Sequence, residues 1–463
     1  MMSKFRKTVG IFVMMLSSSV LWSQSSLPIE WDGRWWLGVL KGALPINLTF
    51  EMMSEDSFAA VLYSPMQTTD AIPVSECSFQ SDTLMLKCKN LNMTMRLFWN
   101  GVDSSFSGTF KQGLFKTDVS FVPTDGIYQN KPATPVADDG KYESRDFSIE
   151  RRKAGVVVSG TVTIPHGKGR FPAVVLVNGS GQQDRDCTIA GHKPFAVLAD
   201  YLTRQGIVVV RYDDRGVGGS KGDVFNATTF DFADDAEAVF EYIRKQPYVD
   251  KKCVGIVGHS EGGIIAPLVA SRNDKVDFVV MLAGPGTSGA QVLFDQNREL
   301  LLQQGVADSL IRKRIDCMSE MFALNVDSIG LATIRKIIEK HAAGLTDDER
   351  MAVGLRRSDA VLWNQQLQLP WMQTFIKLSP ADYLPKVGCP VLAVNGSKDL
   401  QVVSYNLVRV KEMLPHADTV LYPDLNHLFQ HCETGSPNEY FSIQESFSEE
   451  VMRDMSFWIL KQR

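Results

Sequence analysis

Ser260 stands in Gly258-His259-Ser260-Glu261-Gly262, behind the apolar run Cys253-Val254-Gly255-Ile256-Val257 and ahead of the small apolar run Gly263-Ile264-Ile265-Ala266. A strand that turns sharply into a helix projects a serine hydroxyl clear of a sheet. Glycines flank the serine because side chains there would strike neighbouring backbone. The helix that follows points its N-terminus at the serine, where developing negative charge is favoured. The five-residue pattern alone is weak evidence, and the strand before it and helix after it give it weight. So placed, Ser260 is a candidate nucleophile for acyl transfer.

A serine hydroxyl needs a base, and histidine is the usual one near neutral pH. The chain has seven histidines. His166, His192 and His259 precede the nucleophile motif or lie within it, and His341 lies in a helical stretch. His416 precedes the last expected strand, whereas His427, in Tyr422-Pro423-Asp424-Leu425-Asn426-His427, follows it directly. The order nucleophile, acid, histidine therefore selects His427, with His431 as its competitor. An i, i+4 metal pair of His427 and His431 lacks an acidic third ligand, so no metal is expected. The acid should end the preceding strand, and Val391-Leu392-Ala393-Val394-Asn395-Gly396-Ser397-Lys398-Asp399 offers Asp399 there. It would orient the His427 ring and stabilise its imidazolium. Asp424 is the rival, with little room to reach the ring. A tetrahedral oxyanion needs two donors. The backbone N–H of Glu261 is one. The other should come from the loop Asn178-Gly179-Ser180-Gly181, with Ser180 preferred and Gly181 or Gln182 as alternatives.

Positioning these groups calls for alternating strands and helices. Strands are expected at residues 156–164, 171–177, 207–212, 253–257, 278–282, 390–394 and 419–422, and helices at 194–205, 230–245 and 445–460. Continuous apolar strands between helices imply a mostly parallel sheet covered on both faces. Residues 286–380 break this rhythm with helices at 290–304, 308–324 and 334–341, and read as a cap inserted over the site. Residues 24–125 read instead as all-β, with about eight short strands that alternate in polarity, as at Ile46, Leu48, Phe50 and Met52. Such a meander tends to close on itself. The aromatics Trp35, Trp36, Phe98, Trp99, Phe106 and Phe110 are expected to fill its interior rather than line a ligand cavity. Residues 126–143, rich in Pro, Gly and Asp, read as a linker to a catalytic domain at 144–463.

Five motifs in order carry a resemblance. They are Asn178-Gly179-Ser180-Gly181-Gln182-Gln183-Asp184-Arg185-Asp186, Arg211-Tyr212-Asp213-Asp214-Arg215-Gly216-Val217-Gly218-Gly219-Ser220, Gly258-His259-Ser260-Glu261-Gly262-Gly263, Asn395-Gly396-Ser397-Lys398-Asp399 and Asn426-His427. Over about residues 144–463 the chain resembles bacterial α/β-hydrolase serine carboxylesterases of the dienelactone-hydrolase-like group. The resemblance implies an α/β-hydrolase fold, a Ser260–Asp399–His427 triad and activity on small acyl esters. It implies that the turn from Asp213 to Ser220, Arg215 included, is architectural. The start of the β-domain, Trp31-Asp32-Gly33-Arg34-Trp35-Trp36, is loosely similar to that of a lipocalin-type barrel.

The remaining features bound the setting. Lys4, Arg6 and Lys7 precede an apolar stretch between Val9 and Trp22, which reads as a signal peptide over residues 1–23 and implies export to the periplasm or medium. The run is too short and serine-rich for a membrane span. The formal net charge is −5 with no basic stripe, which gives no argument for nucleic acid. The seven cysteines are scattered. Export permits a disulfide, and Cys77 with Cys88 is the best pair, although two buried thiols are the expected state. Chemistry, setting and what the resemblance implies together give the expectation of a secreted serine esterase acting on small-molecule esters without cofactor or metal. A peptidase or amidase of the same fold and a non-catalytic ligand-binding protein are the alternatives.

Overall fold

The computed structural model describes residues 34–41, 46–54, 57–63, 72–102, 104–112, 115–123, 134, 136, 139–325 and 329–463. The stretch read as a signal peptide lies outside them. The chain divides into two units, Met1–Gln129 and Asn130–Arg463. Among the described residues no helix is long and apolar enough to cross a membrane.

The first unit is one antiparallel sheet. Its strands are β1 (Arg34–Lys41), β2 (Asn47–Ser54), β3 (Ser57–Tyr63), β4 (Ile72–Pro73), β5 (Glu76–Gln80), β6 (Thr83–Cys88), β7 (Met93–Asn100), β8 (Ser105–Gln112) and β9 (Phe115–Pro123). Their spatial order is β4-β3-β2-β1-β9-β8-β7-β6-β5. Only Val74 and Ser75 separate β4 from β5, so one bent strand joins the two ends of that order. Val74 N–H bonds Ala60 O on β3 and Ser75 N–H bonds Lys87 O on β6. The sheet thus closes as an up-and-down barrel and leaves no long open edge. The expected count of about eight strands becomes nine because that bend splits one of them.

Strand alternation fills the barrel. Leu48, Phe50, Leu84, Leu86, Met95, Leu97, Phe106 and Phe121 are buried in one cluster. On β7 the inward residues are Met93, Met95 and Leu97, which turns Phe98 outward, 48% exposed and capped by Arg96. Phe98 therefore leaves the group expected inside, while Trp99 packs on Phe106 at 4.9 Å. The side chains of Trp35 and Trp36 lie outside the described set. Cys77 stands opposite Leu86, two residues short of Cys88. A diagonal cross-strand pair of this kind is too far apart for a relaxed disulfide.

The second unit is built on an eight-stranded sheet ordered β10-β11-β13-β12-β14-β15-β16-β17. These strands are β10 (Tyr142–Arg151), β11 (Val156–Pro165), β12 (Phe171–Val177), β13 (Val208–Tyr212), β14 (Val249–His259), β15 (Phe278–Leu282), β16 (Val391–Gly396) and β17 (Asp418–Tyr422). From β13 to β17 every pairing is parallel, while β10 and β11 pair antiparallel at one edge. β10 starts at Tyr142, inside the stretch read as a linker. Only Phe147 of this charge-rich edge strand is buried, so its sequence carries little apolar pattern.

Alternate residues of β12 serve two cores. Ala173, Val175 and Val177 face one cluster, and Val174 and Leu176 the other. Each fully buried valine adds about 1.5–3 kcal/mol of apolar burial, which is why the strand is apolar throughout. Flanking helices are α1 (Pro194–Arg204), α2 (Thr229–Ile243) and α3 (Gly262–Ala270). Between β15 and β16 lie α4 (Gly289–Gln303), α5 (Asp308–Phe322), α6 (Leu331–His341), α7 (Asp347–Ala352), α8 (Asp359–Gln368) and α9 (Pro370–Phe375). The last three go beyond the expected helices. They are short, although a Thr346–Glu349 capping box marks the start of α7. The cap has its own core, with Met318, Met321, Ile334, Ile338, Trp363 and Leu367 in one cluster. α10 (Asn406–Met413) and α11 (Glu449–Leu460) complete the unit.

All seven cysteines are free, and burial pushes the Cys77 thiol up to about 11. Titration of the unfolded, unreduced protein should therefore count seven reactive thiols, and a lower count would reveal a bridge.

Candidate active site

Ser260 follows the last residue of β14 and has φ +55°, the left-handed region. For a residue with a Cβ this costs about 1–2 kcal/mol, so neighbours must hold it. Ser260 N–H donates to Leu282 O on β15 (2.9 Å), and its carbonyl accepts from Gly263 N–H (2.8 Å). A Cβ at Gly258 would lie 1.8 Å from Gly262 O, and one at Gly262 would lie 2.2 Å from Val177 O. The turn closes only with glycine at both positions. Ser260 is half-buried, and among the described residues its Oγ has no hydrogen-bond partner.

His427 lies in a turn after β17 that is folded around Asn426. The Asn426 Oδ1 accepts from Leu428 N–H (2.9 Å) and Gln430 N–H (3.1 Å), and its amide donates to Gln430 Oε1 (3.0 Å). The His427 ring Nδ1 lies 2.8 Å from Asp399 Oδ2. The other Asp399 oxygen accepts from Gln401 and Val402 N–H, both at 2.8 Å. Both side chains are buried. Asp424 is 65% exposed and pairs with Lys398 at 2.9 Å, while His431 pairs with Glu445 at 2.9 Å. The remaining histidines are engaged elsewhere. His192 bonds Ser446 and Tyr440 O, and His341 bonds Glu320.

The elbow and the histidine turn are tied directly. His259 Nε2 donates to His427 O at 2.8 Å, and the two rings lie 4.7 Å apart. Burial, and then the neighbouring His427, push His259 down to about 3, which keeps it a neutral donor. Sequence spacing offers His259 only as a candidate base, because it says nothing of a bond across 168 residues.

The loop after β12 touches the serine. A Cβ at Gly179 would sit 3.0 Å from Ser260 Cβ and 3.5 Å from its Oγ, so the chain enters Ser180 beside the hydroxyl. Among the described residues the N–H groups of Ser180 and Glu261 donate to no acceptor. Asp214 braces this loop. Its Oδ2 accepts from Gln183 N–H and its own N–H donates to Gln183 O, both at 3.0 Å. Arg215 bonds Asp235 (2.7 Å) and Asp231 O (2.8 Å), an architectural arrangement.

Glu261 has a second part to play that its spacing did not reveal. Its buried carboxylate accepts from Thr229 Oγ1 (2.6 Å) and from Trp371 Nε1 on α9 (2.9 and 3.0 Å). The cap is thereby fastened to the residue directly after Ser260. Burial pushes the Glu261 carboxyl up, against these bonds. It pushes Asp214 up to about 8, with the Glu261 charge adding to the shift.

Residues 191–429 match the family model described as Hydrolase_4, serine aminopeptidase, S33. That span takes in Ser260, Asp399 and His427. The chain is similar to Esterase EstD of Thermotoga maritima, 26% identical over 70% of this chain and 69% of that protein. It is also similar to the uncharacterised peptidase YuxL of Bacillus subtilis, 26% identical over 26% of this chain and 19% of that one. Among solved structures, the α/β hydrolase GrgF from Penicillium sp. sh18 aligns with a TM-score of 0.44 at 14% identity, covering 69% of this chain and 98% of its own.

The buried Asp214 gives a pH test. An unfolded aspartate ionises near its ordinary 3.8, while the folded one holds its proton to about 8. The native state therefore loses relative stability as pH rises through that window. Asp214→Asn keeps the acceptor for Gln183 N–H and removes the titration. The melting temperature of the variant minus that of wild type should grow from about pH 4 to about pH 8. A difference that stays level with pH would show that Asp214 ionises normally.

Proposed function

The chain belongs to the Hydrolase_4 family, serine aminopeptidase S33, and on that premise we propose that it is an exported serine esterase cleaving esters of small acyl groups. Ser260 Oγ attacks the ester carbonyl while His427 Nε2 takes its proton, its Nδ1 being engaged by Asp399. The N–H groups of Ser180 and Glu261 receive the oxyanion. Collapse expels the alcohol, protonated by His427, and leaves an acyl-Ser260 ester. Water, deprotonated by His427, attacks that ester and releases the acid.

The observation that carries this reading is the pair of bonds converging on His427. Asp399 holds its ring and His259 holds its backbone, and His259 directly precedes Ser260. The name of the Thermotoga maritima relative supports ester over amide substrates. The family description and the name of the Bacillus subtilis relative favour a second reading, a peptidase.

Turnover of p-nitrophenyl acetate, butyrate and octanoate beside an amino-acyl anilide separates the two. Ester turnover is expected to be fastest with acetate or butyrate and to fall by roughly four to six orders of magnitude in Ser260→Ala, with the fold retained. Anilide turnover of equal rate would establish the peptidase instead. Unchanged turnover in Ser260→Ala would remove the serine from the mechanism.

Export rests on the charged and apolar pattern of residues 4–22. Protein recovered from the periplasm or medium should begin near residue 24, and an intact N-terminus on cytoplasmic protein would end this part of the proposal.

A further inference from the structure

Most guanidinium groups in the second unit that leave bulk water meet a carboxylate. Arg185 pairs with Asp213, Arg204 with Asp139 and Asp200, and Arg215 with Asp235. Arg314, on α5 in the cap, departs from that rule. Its three hydrogen bonds all end on neutral oxygens, Asn297 Oδ1 from Nε (3.3 Å) and Nη2 (3.2 Å), and Gly354 O from Nη1 (3.1 Å). A guanidinium carries five N–H donors, so two remain without an acceptor among the described residues. One face of the group lies over the Trp363 ring, 4.7 Å from its centroid. Burial pushes its pKa down, and the nearby Asp359 charge opposes that shift only in part.

Arg314 lines a cavity of about 370 Å³. That volume lies within the range of small-molecule sites, about 300–1,000 Å³. Leu293, Met318, Phe322 and Met372 supply apolar wall, and Leu362, 58% exposed, forms part of the lining. The acidic residue of the lining, Asp359, is engaged by Arg356, whose Nη2 lies 2.8 Å from Oδ1 and whose N–H lies 2.8 Å from Oδ2. Among the described residues it accepts no hydrogen bond from Arg314, and its charge acts on Arg314 only through space. A fork of free N–H donors is geometrically suited to a carboxylate, and the apolar wall suits a hydrocarbon or aromatic body.

We propose that this cap cavity binds a small carboxylate with an apolar body, the carboxylate seated on the free N–H groups of Arg314 and the body among Leu293, Met318, Phe322 and Met372. The site is separate from Ser260. α9 divides the two, with Met372 facing the cavity while the adjacent Trp371 bonds Glu261.

Calorimetric titration of the full chain with sodium octanoate, octanamide and inorganic phosphate tests this. Octanoate should bind saturably, and octanamide about tenfold or more weakly because it cannot form the charged pair. Arg314→Gln should weaken octanoate by a similar factor. So should Leu362→Trp, which fills the mouth from an exposed position and carries the test if Arg314→Gln fails to fold. Binding at Ser260 would survive both substitutions, so octanoate affinity unchanged in both variants would overturn the site. Octanamide equal to octanoate would overturn the role of the charge, and phosphate matching octanoate would overturn the role of the apolar body. Loss or survival of ester turnover bears on Ser260 and leaves this outcome untouched.

Discussion

A serine held at φ +55° between two glycines is the constraint on which the second unit depends. The turn survives because backbone closes around it within 1.8–2.2 Å of where side chains would stand, and because β15 supplies an acceptor for its N–H. That tight packing requires β12, β14 and β15 to lie side by side in parallel, with their C-terminal ends together. The strain is therefore held by the sheet as a whole, and the hydroxyl it presents has no competing partner among the described residues.

Around this turn the protein uses neutral donors and buried acids as braces. His259 fixes the histidine turn from below, Asp214 fixes the loop beside Ser260, and Glu261 receives the cap through Trp371. Each brace is a polar group that has left water, and each makes its hydrogen bonds in doing so. The site is held by a hydrogen-bonded frame more than by ion pairs, which suits a centre where charge must appear and vanish during turnover.

The residues at strand ends were the easiest to read. Ser260, Asp399 and His427 each follow an apolar strand in the chain order that the fold demands, so local pattern and order sufficed to bring them into consideration. The braces were not legible. Trp371 and Glu261 are 110 residues apart, and nothing local in Pro370-Trp371-Met372 announces a bond to a distant carboxylate. β10 was hidden for a different reason: as an edge strand it buries one phenylalanine and shows water a row of charges. The barrel was legible as alternation, yet the bend at Val74-Ser75 that closes it depends on partners in two other strands.

The cap keeps its apolar side chains mostly to itself, entering after β15 and leaving before β16. β15 and β16 are parallel, so the chain must cross from one end of the sheet to the other, but Gly289 N–H bonds Leu378 O and Ala290 N–H bonds Ile376 O, so the inserted helices begin and end side by side. Such an insertion adds little to the closure cost of the loop that it replaces, and it brings its own stability. The inserted helices can therefore vary in length without altering strand register, while α9 stays tied to the serine turn through the Trp371–Glu261 bond.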